Sequence, residues 1–243
     1  DIEFTPLFLG QALILKDGKL IIFGDEQRFK NIELDNVEII AKENFEEYFK
    51  IFSSQKFLIQ IDKKTTNYWI CEVFEKNNIK YFHQNCPIEI FKAIKNSQEI
   101  IGAKKSHYHN AVALIKFLFW LDDSQKKHQI ISEISASQKL LEFYQECDHF
   151  LYSSFETISG FEANGAIIHY RANSTTNKQF LGNSLYLFDS GGQYFGSDFC
   201  GTTDVTRTIA IGTPSAEMIE DYTRVLKGHI ALARIKFPRG TSG

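Results

Sequence analysis

Asp189 and Asp204 stand at the two ends of "DSGGQYFGSDFCGTTD", fifteen residues apart, in a stretch rich in β-formers and glycine and without a helical pattern. The first follows the apolar run "LYLF"; the second lies inside "TTDVTRT". An ionised carboxylate among strand-forming residues is costly to desolvate unless a cation compensates it. A metal ion would do so, and so would an arginine such as Arg207. On paired antiparallel strands the odd separation lets the two residues oppose each other on one face and offer their oxygens to one site. Gly191, Gly192, Gly196 and Gly201 permit turn and bulge geometry between them. His169 in "NGAIIHY" is the third chemical candidate.

Other chemistries find less support. His107 and His109 are two residues apart on a helical pattern and point about 200° apart, so they cannot share an ion. "CDH", Cys147 to His149, is a pair without an evident partner. No GxGxxG or GxxxxGK[ST] motif offers a phosphate cradle. Lys and Arg number 27 against 30 Asp and Glu, a net charge of −3, which removes the electrostatic case for nucleic acid or an anionic membrane as partner. The longest apolar run, "AVALIKFLFWL", is too short to span a bilayer and carries Lys116. The four scattered cysteines, without a CxxC pair, fit reduced thiols in a cytoplasmic protein.

The elements that must position these residues can be read from periodicity. Hydrophobic residues make up 43% of the 243 residues and charged ones 23%, an ordinary globular balance with room for one large or two smaller domains. "ALILKDGKLIIFG" is a hairpin pattern around Asp17-Gly18, a dipeptide favoured in type I′ turns. "ENFEEYFKIFSS" and "NYWICEVFEKN" read as helices, and "KFLIQID" and "IKYFH" as strands, an alternation that predicts an α/β layer. The pattern breaks at Asn85-Cys86-Pro87, which places a domain boundary there, with domains 1–87 and 88–243. A helix then runs from the capping pair Asn96 and Glu99 to about Leu121, with Ile101, Tyr108, Ala111, Val112, Ile115 and Phe119 on one face. A second spans Ser132 to Glu146, strands and turns fill the chain to Gly212, and a third helix opens near Pro214-Ser215. The opening "DIEFTPLFLG" without an initiator Met and the turn-like close "KFPRGTSG" suggest an internal piece of a longer protein.

Four ordered motifs carry a resemblance. "SFETISGFEANGAIIHY", "LYLFDSGGQY", "GTTDVTRT" and "YTRVLKGHIALA" closely resemble aminopeptidase P, the Xaa-Pro aminopeptidase family of pita-bread metallopeptidases. "KAIKNSQEI" and "EISASQKLLEF" look like the opening helices of its catalytic domain, and "DIEFTPLFLG" resembles the preceding creatinase-type domain of three-domain members. The resemblance implies an α/β (α+β) chain: part of a creatinase-type domain over 1–87, then the N-terminal half of a pita-bread catalytic domain over 88–243.

It further implies a site. Asp189 would chelate one divalent ion, Asp204 would bridge two, and His169 would sit beside the substrate, hydrogen-bonding the scissile region or moving a proton. The family's remaining ligands, a His and two Glu, lie in a segment this sequence does not contain, so the chain alone is expected to be inactive. An oxygen-rich ligand set favours two manganese-type ions. The implied substrates are peptides with proline in the second position, and a homodimeric parent is compatible with the resemblance. Two departures stand out: Phe195 to Cys200 make the connection between the two aspartates about four residues longer than is usual in the family, and Ala163 stands where the family often has Pro. The even insertion is expected to extend a hairpin without losing a ligand. Two alternatives are a prolidase-type dipeptidase and a catalytically silent pita-bread binding module; a third is a plain α/β domain with an Asp–Arg bridge.

Overall fold

The structure, a computed structural model, describes residues 2–52 and 57–242, with the side chain of Phe52 left aside. It comprises two compact units, residues 1–96 and 97–243. The break falls later than the expected Pro87, because Pro87 opens a short helix instead of ending the domain. Its fixed φ and missing N–H suit that first helical position.

In the first unit, β1 (Gln11–Ile14), β2 (Leu20–Gly24) and β3 (Val37–Ala41) form one sheet, antiparallel between β1 and β2 and parallel between β2 and β3. The expected hairpin is there, but its turn is longer than the two-residue type I′ form. Leu15 N–H donates to the Lys19 carbonyl at 2.8 Å, and only Gly18 takes a positive φ. A type I′ turn needs both central residues there. Helix α1 (Phe45–Phe52), strand β4 (Leu58–Ile61), helix α2 (Tyr68–Lys76), strand β5 (Lys80–His83), parallel to β4, and helix α3 (Pro87–Ala93) complete the alternation. The Ser53-Ser54 end of the first expected helix and Lys56 of the following strand lie outside the described residues. Phe23, Phe45, Phe49 and Phe74 build the core with Ile21, Ile61, Val73 and Ile79.

In the second unit, α4 (Ser97–Lys126) runs five residues past the expected Leu121, and α5 (Glu133–Gln145) starts behind the capping box of Ser132 and Ser135. Strands β6 (Phe150–Ser153), β7 (Ile158–Phe161), β8 (Ser184–Ser190), β9 (Gly192–Phe195), β10 (Cys200–Thr202) and β11 (Val205–Ile211) form two antiparallel three-stranded sheets, ordered β11-β8-β7 and β10-β9-β6. Phe117, Leu121, Leu140, Tyr144, Phe161, Tyr186 and Phe188 pack the core between helices and strands.

The apolar face read on α4 is its outward one: Tyr108, Ile115 and Phe119 are 69%, 66% and 72% exposed. The face turned inward carries Gly102, Ser106, Asn110, Ala113, Phe117, Leu121 and Ser124. Small residues are required there, because a Cβ at Gly102 would collide with the Cys200 carbonyl oxygen, and one at Gly201 with Ser106 Oγ. Helix α6 (Ala216–Arg234), capped by Ser215, contains no buried residue.

Candidate metal centre

Strand β8 is central in its sheet. Tyr186 and Phe188 point into the core, and the intervening Leu185, Leu187 and Asp189 line the opposite, half-buried face. Asp189 pairs with Ile158 of β7 on one side and Thr206 of β11 on the other. The partner directly opposite is therefore Thr206, and the sequence expectation of Asp204 in that place is corrected by two residues. A single antiparallel register runs from Ser184↔Ile211 to Ser190↔Val205 and resumes at Gln193↔Thr202 through Phe195↔Cys200. Gly191 and Asp204 fall where the ladder opens. Two residues before Thr206, Asp204 is exposed, near Asp189 and outside both strands.

The opening is held by backbone contact. A Cβ on Gly191 would overlap the Thr203 carbonyl oxygen, so only glycine permits this approach. Ser154 N–H donates to the Gly191 carbonyl at 3.1 Å, and Ser154 Oγ donates to that of Thr203 at 2.8 Å. Phe195 and Cys200 pair at the end of the hairpin, and Gly196 to Phe199 form its tip. Phe199 anchors it: the ring stacks on His109 at 5.8 Å, meets His149 edge-on at 5.2 Å, and lies under the Lys105 ammonium, which pairs with Asp198. His149 of "CDH" thus does have a partner, His109, with ring centroids 5.1 Å apart. Burial, then His149 and Lys105, holds the His109 imidazole below its usual range.

Asp189 is the electrostatic anomaly of the unit. Its Oδ1 is buried without a hydrogen-bond partner. Burial pushes its carboxyl above the usual range; the Thr206 hydroxyl opposes this, and the Asp204 charge adds to it. Arg207 does not relieve the pair, since its guanidinium donates to the Thr206 carbonyl at 2.7 Å and no ion pair to either aspartate occurs among the described residues. Two adjacent carboxylates with an orphaned buried oxygen are a donor set that suits a hard divalent cation. Among the described residues no cluster of three His, Cys, Asp or Glu side chains completes such a site.

His169 lies in the loop after β7, exposed, in the left-handed region at φ 55°. The structure gives it no bond to either aspartate, but it shows what fixes the loop. Glu133, fully buried at the start of α5, accepts from Phe161 N–H at 2.7 Å, the Asn164 amide at 3.0 Å, the Tyr170 hydroxyl at 2.9 Å and Lys178 N–H at 2.9 Å. Sequence reading missed Glu133, because an acidic residue in a first helical turn is ordinary. It also missed Asn110, whose signal was a polar side chain on the buried stripe of α4.

An α/β unit followed by helices and antiparallel sheets around a carboxylate pair defines a metallopeptidase-type chain. Residues 102–243 match the model of metallopeptidase family M24 and residues 1–99 that of the creatinase/prolidase N-terminal domain, and the chain belongs to family M24. It is 37% identical to Xaa-Pro aminopeptidase 1 of Dictyostelium discoideum and 36% identical to Xaa-Pro aminopeptidase 2 of Sus scrofa, over all of its own length and 38% and 37% of theirs. It therefore spans well under half the length of these curated relatives. The solved X-prolyl aminopeptidase of Caenorhabditis elegans, described as a cytosolic enzyme with a di-nuclear active site, superposes with TM-score 0.85 at 30% identity, over 100% of this chain and 40% of that one. The Xaa-Pro dipeptidase of Bacillus anthracis, at 21% identity, TM-score 0.69 and coverage of 93% and 61%, shares the fold. The α/β architecture of a creatinase-type unit followed by the first part of a pita-bread domain is thereby established.

Proposed function

We propose that this chain is the part of a longer metallo-aminopeptidase that supplies Asp189 and Asp204 to a two-ion centre, and that the whole protein releases the N-terminal residue from peptides with proline in second position. The observation that carries this is the buried, unpartnered Asp189 Oδ1 beside Asp204. Divalent ions bound there supply Lewis acidity toward the scissile carbonyl and make water nucleophilic near neutral pH. Asp189 holds its carboxylate oriented through the Thr206 hydroxyl, with Oδ1 left free for a cation. Asp204, exposed and outside the ladder, would offer its carboxylate to the ions. His169, on the Glu133-anchored loop, hydrogen-bonds the scissile region or moves a proton there. The all-oxygen pair favours manganese, and the cytosolic description of the C. elegans relative supports a cytoplasmic setting. A homodimeric whole protein belongs to the same proposal.

The test is a peptide-cleavage assay with Mn²⁺, comparing the 243-residue chain with the complete open-reading-frame product on matched Xaa-Pro and Xaa-Ala peptides of two, three and more residues. Cleavage by the complete product alone, before proline, and of tripeptides and longer substrates, is expected. Cleavage confined to dipeptides would make it a prolidase; no cleavage by a folded product would make it a silent binding module.

A further inference from the structure

Behind the open stretch of the hairpin lies a buried polar pair, Asn110 and Thr203, beside Asp204 in sequence. Asn110, 1% exposed, sits in the middle of a 30-residue helix, where an Asn is disfavoured by both propensity and burial. Its Oδ1 accepts from Thr203 Oγ1 at 2.7 Å. Thr203, 1% exposed, immediately precedes Asp204. The same Oγ1 accepts from Gly192 N–H at 2.9 Å, and Thr203 N–H donates to the Gly192 carbonyl at 3.0 Å. The Tyr194 hydroxyl also points at Asn110 Oδ1, at 3.4 Å.

This pair stands where the ladder is interrupted. Between Ser190↔Val205 and Gln193↔Thr202 the regular β-pairing lapses, so the backbone presenting Asp204 is not set by sheet geometry. Of the two bonds that Gly192 and Thr203 would exchange, Thr203 N–H to the Gly192 carbonyl is kept, and the buried Thr203 hydroxyl stands in for the Thr203 carbonyl as acceptor of the other. We propose that Asn110 is the positioning residue of Asp204, fixing it through Thr203. The inference rests on the reading of Asp204 as a metal ligand. Groups that orient ligands from behind change metal affinity by about 10–100-fold when removed, because a ligand displaced by more than about 0.5 Å no longer meets its ion correctly.

The experiment measures Mn²⁺ affinity by calorimetry, thermal midpoint, and Gly192 amide exchange in the metal-free state, all on the complete open-reading-frame product. Thr203→Val keeps the shape and removes the hydroxyl; Thr203→Ser keeps the hydroxyl. We expect Thr203→Val to weaken Mn²⁺ binding about 10–100-fold and to speed Gly192 exchange, with Thr203→Ser close to the parent in both. Asn110→Leu, a good helix former of similar volume, should weaken binding over the same range, and it decides the matter if Thr203→Val does not fold. Parent-like Mn²⁺ affinity in Thr203→Val and Asn110→Leu, with faster Gly192 exchange, would reduce the network to scaffolding and overturn the proposal. If Asp204→Asn binds Mn²⁺ as the parent does, the ligand reading itself fails and the positioning role falls with it.

Discussion

The two units differ less in their apolar cores than in what polar groups they bury. Both pack clustered aromatic rings: Phe23, Phe45, Phe49 and Phe74 in the first, Phe117, Phe161, Tyr186 and Phe188 in the second. Among the described residues, the first unit buries one polar side chain, Asp62, and the second nine. Asp62 is satisfied by two backbone donors, Lys64 N–H at 2.8 Å and Cys86 N–H at 2.6 Å. In the second unit, Asn110, Ser190, Thr203, Glu133 and Ser159 bond across elements far apart in sequence. Buried polar groups are expensive unless paired, so their concentration marks where the chain needs fixed geometry more than stability. The first unit is held by apolar packing; the second also holds a shape that two carboxylates require.

The largest expected effects probe what the units share. Phe23→Ala and Phe117→Ala each remove a fully buried ring and should each cost about 3–5 kcal/mol. Urea titration resolves them, because Trp69 reports beside Phe45 and Trp120 beside Phe117. A loss under about 1 kcal/mol at either site would mean that its core is not packed as described.

Next comes the polar contrast. Glu133→Ala strands buried donors from four residues and should cost roughly 1–3 kcal/mol. It should also raise amide exchange in the loop around His169. Asp62→Ala, which strands two backbone donors, should have a smaller effect, felt at the turn after β4 and at the start of α3. Equal effects would erase the distinction between the units.

The smallest effect is a difference in pH window. His109 is held below its usual range by burial, His149 and Lys105. The unfolded chain therefore binds this proton first as pH falls. Its contribution is fully present above about pH 6.5 and is lost as pH drops through the lowered folded value. The Asp62 carboxyl is held low by the Lys64 and Cys86 N–H groups, so its contribution persists down to about pH 4 and fades below that. On acidification the Trp120 midpoint should decline before that of Trp69, and His109→Phe, which keeps the stacking on Phe199, should reduce the early decline. An early Trp69 decline would reverse the assignment.

Much of this was legible in the sequence because it rests on local patterns. The apolar run "LYLF" lies in strand β8, the helix read from Ser132 starts at Glu133, and the glycine-bearing stretch between the two aspartates folds as a hairpin. What escaped depends on three-dimensional closeness. The outward face of α4 is as apolar as a core face, and only the approach of Cys200 to Gly102 tells which side is buried. The Asp189–Thr206 register follows from where the hairpin turns, with Phe195 opposite Cys200, which a count of fifteen residues between the aspartates cannot foresee. His109 meeting His149, and Asn110 meeting Thr203, join residues 40 and 93 positions apart. No short-range spacing encodes them.

The most direct test is a Mn²⁺ titration, read by electron paramagnetic resonance, of the complete open-reading-frame product beside its Asp189→Asn and Asp204→Asn variants. These are near-isosteric and leave the fold in place. Two ions bound by the parent, one tight site lost in Asp189→Asn and both weakened in Asp204→Asn, is the expected result. Parent-like binding in both variants would show that the Asp189–Asp204 pair is not the metal centre.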